Sequence, residues 1–507
     1  YVPLKGAKPD LPSPLAGVED GFINYPTPFK SVQETPSKGG TINLFGIIFG
    51  PPFTALDQNP ALQAVNKAIG ATLNINATGV NDFLPKFNAI LAGGDLPDVL
   101  FLANVTNLPD FLKAQCADLS QFLSGDAIKA YPNLANFPTE SWKAGVFAGG
   151  LYGVPAVRPV TNNVVFFNKT RYDKEVGNTY PKNAADYKKI MQQLNHPAQQ
   201  QWATTSWQST AYNLAPPFSF ISEMFGVPNY WRVDSSGKLT SYRETPEYTA
   251  AVAYGRDLIA SGLYHPNSAT NSTQQTKSDL VAGTAALLDQ NWTSYLDFWN
   301  RGKGVKPNVE IHVLPPFSHD GSSKMTYWLA PHIQVDPLFP GVVAIKKGSA
   351  DRVQEILRVL NYLAAPFGSA EHLLIWFGAE GPDYKKDAKG NPNLTPKGFQ
   401  DTFYTTPIWI QNPPVLYSPN YPDYAPQAQS DEKMMVPLGI PNPVVGLYSP
   451  ANGTKGGLIN KTFDDALVDI LAGRRPVTDL ATITKDWVTN GGDQIRKEYE
   501  QALAANK

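Results

Sequence analysis

Apolar runs alternate with amphipathic stretches along most of the chain. TINLFGIIF, residues 41–49, is an almost continuous apolar run of strand length, which is typical of a strand buried on both faces. After a loop, Asn59 and Pro60 supply a helix cap and a first helical residue, and apolar residues recur at helical spacing until Gly70. Apolar and polar residues then alternate over residues 73–77. The pattern predicts a strand, a helix and a second strand, which together form a βαβ unit.

Two carboxylates interrupt the next apolar stretch, FNAILAGGDLPDVLF, residues 87–101. The helical part of this stretch ends at Gly94, and the proline that follows Leu96 prevents the helix from continuing. Asp95 and Asp98 therefore fall in a turn between a helix and a strand. Asp side chains accept hydrogen bonds from nearby amides in such turns, so we interpret the two residues as structural and not as a catalytic pair.

The same alternation continues towards the end of the chain. Strands are predicted at residues 164–168, 284–290 and 341–347, and helices at residues 184–194, 247–259, 350–364, 463–471 and 493–504. Repeated alternation of strands and helices predicts an α/β fold with mostly parallel sheets and helices on both faces.

Composition and charge narrow the classes of function. The 507 residues include 42 Lys and Arg against 44 Asp and Glu, so the net charge of -2 gives no basic surface for nucleic acid. Cys116 is the single cysteine, which excludes an internal disulfide and a cysteine-rich metal site. Residues 1–37 are rich in proline and glycine without sustained periodicity, and we interpret them as a tether ahead of the first domain.

The sequence carries none of the familiar catalytic motifs. His-Glu-x-x-His, Gly-x-Ser-x-Gly and both glycine-rich phosphate motifs are missing, and the six histidines show no metal-ligand spacing. VDSSGK, residues 233–238, has too few acids for a calcium loop and is interpreted as a hairpin turn. We therefore predict no catalytic residue, no metal and no cofactor. A glycosidase needs only two carboxylates brought together by the fold, so a secreted carbohydrate-active enzyme stays open as the alternative.

Six segments, in order, resemble the extracellular solute-binding proteins of carbohydrate ABC transporters, of the long lipoprotein-like branch that binds oligosaccharides. They are FNAILAGGDLPDVL from Phe87, AGGLYGVPAVRPVTNNVVFFNKT from Ala148, GKLTSYRETPEYTAAVAYGRDLIASGLYHPN from Gly237, LVAGTAALL from Leu280, AIKKGSADRVQEILRVLNYLAAPFGSAEHLLIWFGAEGPDY from Ala344 and ITKDWVTNGGDQIRKEYEQAL from Ile483. Each motif alone is weak, but the six together span most of the chain from residue 41 onwards.

The resemblance implies two α/β lobes of the type II periplasmic-binding-protein fold, with the ligand in a cleft between them. It implies an amino lobe of residues 38–157 plus 291–345 and a second lobe of residues 158–290 plus 346–507, with crossings near residues 155–159 and 288–292. It also implies a monomer outside the cell or in the periplasm, held by a lipid anchor at the cell surface. Such a protein captures a carbohydrate by lobe closure and delivers it to an ABC permease.

Sugar recognition needs flat aromatic faces and side chains that form paired hydrogen bonds with hydroxyl groups. In the amino lobe and at its boundary, the candidates are Phe53, Asp57, Asn59, Asn104 and Arg158. Asn59 also fits as a simple helix cap. Arg158 is suited to a sugar carboxylate, and equally to an ion pair within one lobe.

Near the second expected crossing, Gln290, Asn291 and Trp292 follow a predicted strand, and Trp292 is the preferred stacking platform. Trp231 and Trp409 are weaker candidates, because an isolated tryptophan more often fills a core.

Overall fold

The computed structural model describes residues 4, 6–48, 52–206, 219–305, 309–322, 325–330, 339–402 and 410–505. The chain forms two compact units. The first unit contains residues 1–159 and 331–426, and the second contains residues 160–330 and 427–507. The chain therefore passes from one unit to the other three times.

The secondary structure alternates between strands and helices. The strands are β1 Gly21–Phe22, β2 Thr41–Ile48, β3 Thr72–Gly79, β4 Val99–Phe101, β5 Val146–Phe147, β6 Gly150–Leu151, β7 Val154–Pro155, β8 Asn163–Asn168, β9 Trp202–Thr204, β10 Trp231–Val233, β11 Leu239–Ser241, β12 Ala285–Asn291, β13 Ile311–Val313, β14 Tyr327–Trp328, β15 Val342–Ile345, β16 Tyr384–Lys386, β17 Pro392–Leu394, β18 Leu416–Tyr417 and β19 Gly439–Ile440. The helices are α1 Pro60–Ile69, α2 Val80–Gly93, α3 Leu108–Gln115, α4 Ser120–Leu123, α5 Lys169–Glu175, α6 Ala184–Gln193, α7 Phe220–Met224, α8 Pro246–Ala260, α9 Thr273–Ala282, α10 Tyr295–Val305, α11 Ala350–Leu363, α12 Ala370–Phe377, α13 Pro396–Asp401, α14 Tyr424–Met435, α15 Gly457–Leu471, α16 Asp479–Trp487 and α17 Asp493–Ala505. In the ranges described above, no helix is both long enough and apolar enough to cross a membrane.

The first unit contains a five-stranded sheet in the order β3-β2-β4-β15-β7. β2, β3 and β4 run parallel, so their carboxyl ends and the loops that follow them lie at one edge of the sheet. β15 runs antiparallel to β4 and places Ile345 opposite Val99, so residues after β15 begin at the other edge. The buried rings of Phe45 and Phe83 stack at 5.7 Å beneath this sheet, where helix α2 packs on β2.

The local signals read from the sequence account for α1 and for the turn before β4. The Asn59 side chain accepts a hydrogen bond from Leu62 N, and Gly70 ends α1 with a φ of 72° in the left-handed region. Asp98 accepts hydrogen bonds from Asn43 N at 2.8 Å and from Arg352 at 3.1 Å. The Asp98 carboxylate thus links β2 to α11, as the structural interpretation of this turn requires.

The second unit contains a four-stranded sheet in the order β13-β8-β12-β9. Only β12 and β9 run parallel, while β8 pairs antiparallel with both β12 and β13. The expectation of mostly parallel sheets therefore holds for β2, β3 and β4 only. β15 pairs antiparallel with both β4 and β7, so the sheets of both units are mixed. β8 begins just after residue 159, where the chain enters the second unit, and no crossover helix precedes it. Parallel pairing needs a crossover connection, so a strand without one can pair antiparallel with its neighbours.

Residues 6–37 do not behave as the free tether that their composition predicted. Val18, Phe22 and Tyr25 are buried, and β1 pairs with β18 in parallel register. The Tyr25 hydroxyl lies 2.9 Å from Nδ1 of His372, in an aromatic cluster within the first unit. Proline and glycine in this segment shape an ordered strap, because its scattered aromatic residues pack on the unit.

The division into units also differs from the expected lobe boundaries. The passage at residue 159 lies within the range expected for the first crossing, but residues 288–292 lie inside the second unit, where β12 pairs with β8. Residues 291–330 group with the second unit because β13 also pairs with β8. Residues 346–426 group with the first unit because α11 and α12 pack there, with α12 against α1.

Candidate functional site

Four acidic side chains in the second unit, Glu223, Asp289, Asp431 and Glu432, form a set that we call the carboxyl cluster. Glu223, Asp289 and Glu432 all act electrostatically on the buried hydroxyl of Tyr327, and Glu432 also acts on its neighbour Asp431. The cluster is assembled from α7, β12 and α14, with Tyr327 on β14. These elements are far apart in the chain, so only the folded unit brings the four acids together.

Asp289 marks the β12 side of the cluster. Its carboxylate accepts hydrogen bonds from Phe220 N at 2.7 Å and from Asn163 Nδ2 at 2.5 Å. Asp289 is partly exposed, but the surrounding atoms exclude water from its carboxyl group, and this desolvation raises its pKa to about 7. The carboxyl group therefore exchanges its proton near neutral pH.

Glu223 is fully buried on α7. Its Oε1 atom accepts a hydrogen bond from Trp328 N at 2.8 Å, and its Oε2 atom has no hydrogen-bond partner in the part of the chain that the structure describes. Burial raises its pKa well above the ordinary value, and the nearby Asp289 charge adds to the effect. Burial therefore favours the protonated form of Glu223, which carries a hydroxyl donor.

Asp431 and Glu432 contribute the α14 side. Asp431 accepts hydrogen bonds from the Tyr295 hydroxyl at 2.8 Å and from Gln427 Nε2 at 3.0 Å, and burial raises its pKa to about 7. Glu432 accepts a hydrogen bond from the Thr161 hydroxyl at 3.0 Å. Both residues are buried. Burial of a carboxyl group costs free energy, and each of these hydrogen bonds reduces that cost.

The carboxyl cluster lies next to all three positions at which the chain enters or leaves the second unit. Asn162 N donates to the Tyr327 hydroxyl at 2.7 Å, and Ala330 N donates to Val160 O at 2.9 Å. The passages lie at residues 159, 330 and 426. Thr161, Tyr327 and Gln427 therefore connect the cluster directly to the segments in which the chain changes unit.

The chemistry of this arrangement is hydrogen bonding to hydroxyl groups. Protonated carboxyls donate and ionised carboxylates accept, so a group that titrates near neutral pH does either for a ligand hydroxyl. Across the described residues, no group of three or more His, Cys, Asp or Glu side chains has the arrangement of a metal site. A cavity of about 20 Å³ beside Asp289, Thr204 and Tyr264 has room for about one water molecule.

The predicted residues at the end of β12 lie close to the cluster in sequence. Gln290 is buried, its Oε1 atom accepts from Asn291 N at 2.8 Å, and its Nε2 atom makes no hydrogen bond to the described residues. Asn291 caps the short turn that follows, through bonds to Thr293. Gln290 thus retains a buried amide donor, whereas the Asn291 side chain is engaged by Thr293 and by Asn162, to whose Oδ1 atom its Nδ2 atom donates at 3.4 Å.

The two described tryptophans of the prediction are both enclosed. Trp292 is 2% exposed and its ring lies 5.2 Å from that of Tyr295, so it presents no open face for stacking in this structure. Trp231 lies in the second unit's core, about 6 Å from the rings of Trp487 and Tyr499. Trp231 therefore packs in the core, which is the alternative role that the sequence analysis gave for an isolated tryptophan. Trp409 lies outside the described residues.

In the first unit, the loop between β2 and α1 carries three of the predicted residues, and these differ in their exposure. Asn59 is fully buried, and its Nδ2 atom donates to Asp401 O at 2.8 Å in addition to its role as a helix cap. Asp57 is exposed on a short turn, and Phe53 is half-buried in the preceding loop. Asp57 and Phe53 therefore keep atoms available to a ligand, while Asn59 serves the fold.

Asn104 and Arg158 lie at the remaining predicted positions of the first unit. Asn104 is half-buried and follows β4 at the carboxyl edge of the sheet. Arg158 is half-buried next to the passage at residue 159, and burial lowers its pKa to about 10. The guanidinium stays charged at neutral pH, and its partial desolvation favours an anionic partner.

Sequence reasoning missed all four acids of the carboxyl cluster, which are Glu223, Asp289, Asp431 and Glu432. A signal was present for Glu223, because it is the one charged residue in the apolar stretch FSFISEMFGV, residues 218–227. No such signal marks Asp431 and Glu432, which stand in the polar stretch QAQSDEK, residues 427–433, as surface acids would.

The bacterial extracellular solute-binding protein family matches residues 50–332 of the chain. This match covers more than half of the sequence, and the chain belongs to that family. The expectation that the resemblance raised is therefore confirmed at the level of the family.

Among characterised relatives, the chain is 24% identical over 476 residues to the polygalacturonan/rhamnogalacturonan-binding protein YtcQ of Bacillus subtilis (strain 168), covering 89% of each chain. It is 20% identical over 497 residues to Lipoprotein LipO of the same organism, covering 92% of this chain and 93% of LipO. Both similarities extend across nearly the whole length.

The fold is shared with solved solute-binding proteins. The N-glycan transport solute binding protein NgtS of Streptococcus pneumoniae matches with a TM-score of 0.64 at 15% identity, over 92% of this chain and 100% of that chain. The two-lobed α/β fold expected from the sequence is therefore confirmed, and the family and fold relatives are binding proteins.

Proposed function

We propose that the protein captures an oligosaccharide that contains uronic acid residues, of the pectic type, and releases it chemically unchanged. The observation that carries this proposal is the similarity to YtcQ over 89% of both chains, since the name of that protein states binding to polygalacturonan and rhamnogalacturonan. Membership of an extracellular solute-binding family supports capture outside the cytoplasm.

The side chains of the candidate site are compatible with this ligand. Glu223 and Gln290 each hold a buried polar atom without a partner among the described residues, and a sugar hydroxyl satisfies such an atom. Arg158 supplies a charged guanidinium suited to a carboxylate. A ligand with both hydroxyl and carboxylate groups has chemistry suited to both kinds of side chain.

The remaining steps of the proposal rest on the family. We expect the two units to close on the sugar, the loaded protein to deliver it to an ABC permease, and a lipid anchor to hold the protein at the cell surface, since LipO is named a lipoprotein. Closure is the step that would bury the polar groups of Asp57 and Arg158 together with the ligand.

The test is a thermal-shift screen of oligosaccharides from polygalacturonan, rhamnogalacturonan, alginate, xylan and starch, followed by chromatography of each mixture. A galactan oligomer of the same length serves as the uncharged control. Binding stabilises the folded protein by mass action, so galacturonan oligomers raise the melting temperature and are recovered intact. Recovery of shortened oligomers would support the alternative, a carbohydrate-active enzyme.

A further inference from the structure

The segment that leads into β8 fixes the geometry of the carboxyl cluster. The Thr161 hydroxyl donates a hydrogen bond to Glu432 at 3.0 Å, and the Asn163 Nδ2 atom donates to Asp289 at 2.5 Å. The backbone amide at the start of α7 donates to the other oxygen of the Asp289 carboxylate at 2.7 Å. Asp289 is therefore bonded both to the Asn163 side chain and to the helix that carries Glu223.

Two polar atoms next to Asp289 are buried and make no hydrogen bond to the residues that the structure describes. They are the Oδ1 atom of Asn163, which is 1% exposed, and the Oε2 atom of Glu223, which is fully buried. Because the Nδ2 atom of Asn163 is bonded to Asp289, the Oδ1 atom of the same amide group also lies at the cluster. Oδ1 accepts a hydrogen bond, and the protonated carboxyl group of Glu223 donates one. Hydroxyl groups of a ligand supply both the donor and the acceptor that these atoms need.

The surroundings of the cluster disfavour a further negative charge. Burial raises the pKa of Glu223 well above its ordinary value, and the Asp289 charge adds to this effect. Burial also raises the pKa of Asp431, and the neighbouring Glu432 adds to it. The same loss of water and the same like charges would act on the carboxylate of a bound uronic acid residue. A hydroxyl group carries no charge and avoids both costs.

We propose that the carboxyl cluster receives an uncharged sugar residue through its hydroxyl groups and excludes a uronic acid residue. This inference rests on the proposed function and narrows its ligand to an oligosaccharide in which neutral residues accompany uronic acid residues. The carboxylates of such a ligand bind outside the cluster. Asn163 is then a specificity-determining residue, because its side chain both orients the Asp289 carboxylate and offers an acceptor to the neutral sugar.

The experiment is isothermal titration of the full chain at neutral pH with two galacturonan oligomers of equal length. One oligomer is unmodified. In the other, which we call the half-reduced oligomer, about half of the carboxylates are reduced to primary alcohols, so neutral residues stand in the same linkage. The variants are Asp289→Asn, which removes a charge from the cluster, and Asn163→Ala, which removes the acceptor. Asp486→Asn, at an exposed acid on α16 of the same unit, is the matched control.

We expect the natural protein to bind the half-reduced oligomer about tenfold more tightly than the unmodified oligomer, which still binds, and Asp486→Asn to keep this ratio. Asp289→Asn should lower the ratio several-fold by strengthening the binding of the unmodified oligomer. Asn163→Ala should lower it by weakening the binding of the half-reduced oligomer.

Equal or tighter binding of the unmodified oligomer by the natural protein would overturn the inference and leave the proposed function standing. An unchanged ratio of affinities in either cluster variant would do the same. Binding of neither oligomer would overturn the proposed function, and the inference with it, so the two failures are distinguishable.

Discussion

Asp289, Asp431 and Glu223 share one property at the scale of single residues, which is that their surroundings favour the protonated carboxyl group. The pKa values of Asp289 and Asp431 rise to about 7, and that of Glu223 rises well above its ordinary value. Each side chain keeps at least one hydrogen-bond donor partner inside the second unit. Groups with pKa values shifted in this way cluster at functional sites, and we propose that these acids bind ligand hydroxyl groups.

Asp431→Asn tests the protonation of the cluster. The folded pKa of Asp431 is about 7 and its ordinary value is 3.8, so between these values the folded state holds a proton that the unfolded state has lost. The free energy of unfolding therefore falls as pH rises from about 4 to 7, and the full penalty persists above pH 7. Chemical denaturation across this range should show a weaker decline in Asp431→Asn. Parallel pH curves for the variant and the natural protein would contradict the raised pKa.

Trp292→Ala tests the preferred stacking residue. Because Trp292 is 2% exposed and packs beside Tyr295, the substitution should lower the free energy of unfolding by about 3 kcal/mol. If the ring also contacts the sugar after the units close, affinity measured on the folded variant falls by at least about tenfold. Trp292→Phe, which keeps apolar packing, is the control. Unchanged affinity in Trp292→Ala would remove this residue from the site.

At the scale of elements, local patterns predicted the regular structure well. The helices predicted at residues 184–194, 350–364 and 493–504 correspond to α6, α11 and α17 within one residue at each end. These elements carry their own signals, such as the cap residues Asn183 and Ser349. Strand direction has no such local signal, which is why the antiparallel pairing of β8 was not predicted.

Asn59 and Asp57 separate folding from binding at the start of α1. Asn59→Ala removes the cap and the bond to Asp401 O, and should cost about 2 kcal/mol of stability, measured by denaturant unfolding. Asp57→Ala alters an exposed side chain, so stability should change little while sugar affinity falls. A stable Asn59→Ala variant would show that the cap is unimportant to α1.

The ordered strap formed by residues 6–37 leads to a prediction of its own. Phe22 is buried on β1, with its ring 4.6 Å from that of Phe367. Phe22→Ala should therefore lower the free energy of unfolding of the first unit by about 3 kcal/mol. Leu15→Ala, at a 37% exposed position in the same strap, is the matched control and should change little. Equal melting temperatures for the two variants would restore the tether interpretation.

At the scale of the whole molecule, the sequence predicted a two-lobed α/β binding protein, but only one of the three positions at which the chain changes unit. The carboxyl cluster combines residues 223, 289 and 431–432. No periodicity or motif joins positions so far apart. The passages at residues 330 and 426 were likewise missed, because the pairing of β13 with β8 and the packing of α12 on α1 are long-range.

The central claim is that the chain binds a uronic oligosaccharide reversibly and leaves it intact. Isothermal titration with a purified galacturonan oligomer, followed by chromatography of the recovered sugar, measures both parts in one sample. The account predicts saturable binding in the micromolar range, corresponding to about 8 kcal/mol, and full recovery of the oligomer at its original length. Absence of binding to every carbohydrate in the panel, or recovery of cleaved sugar, would contradict it.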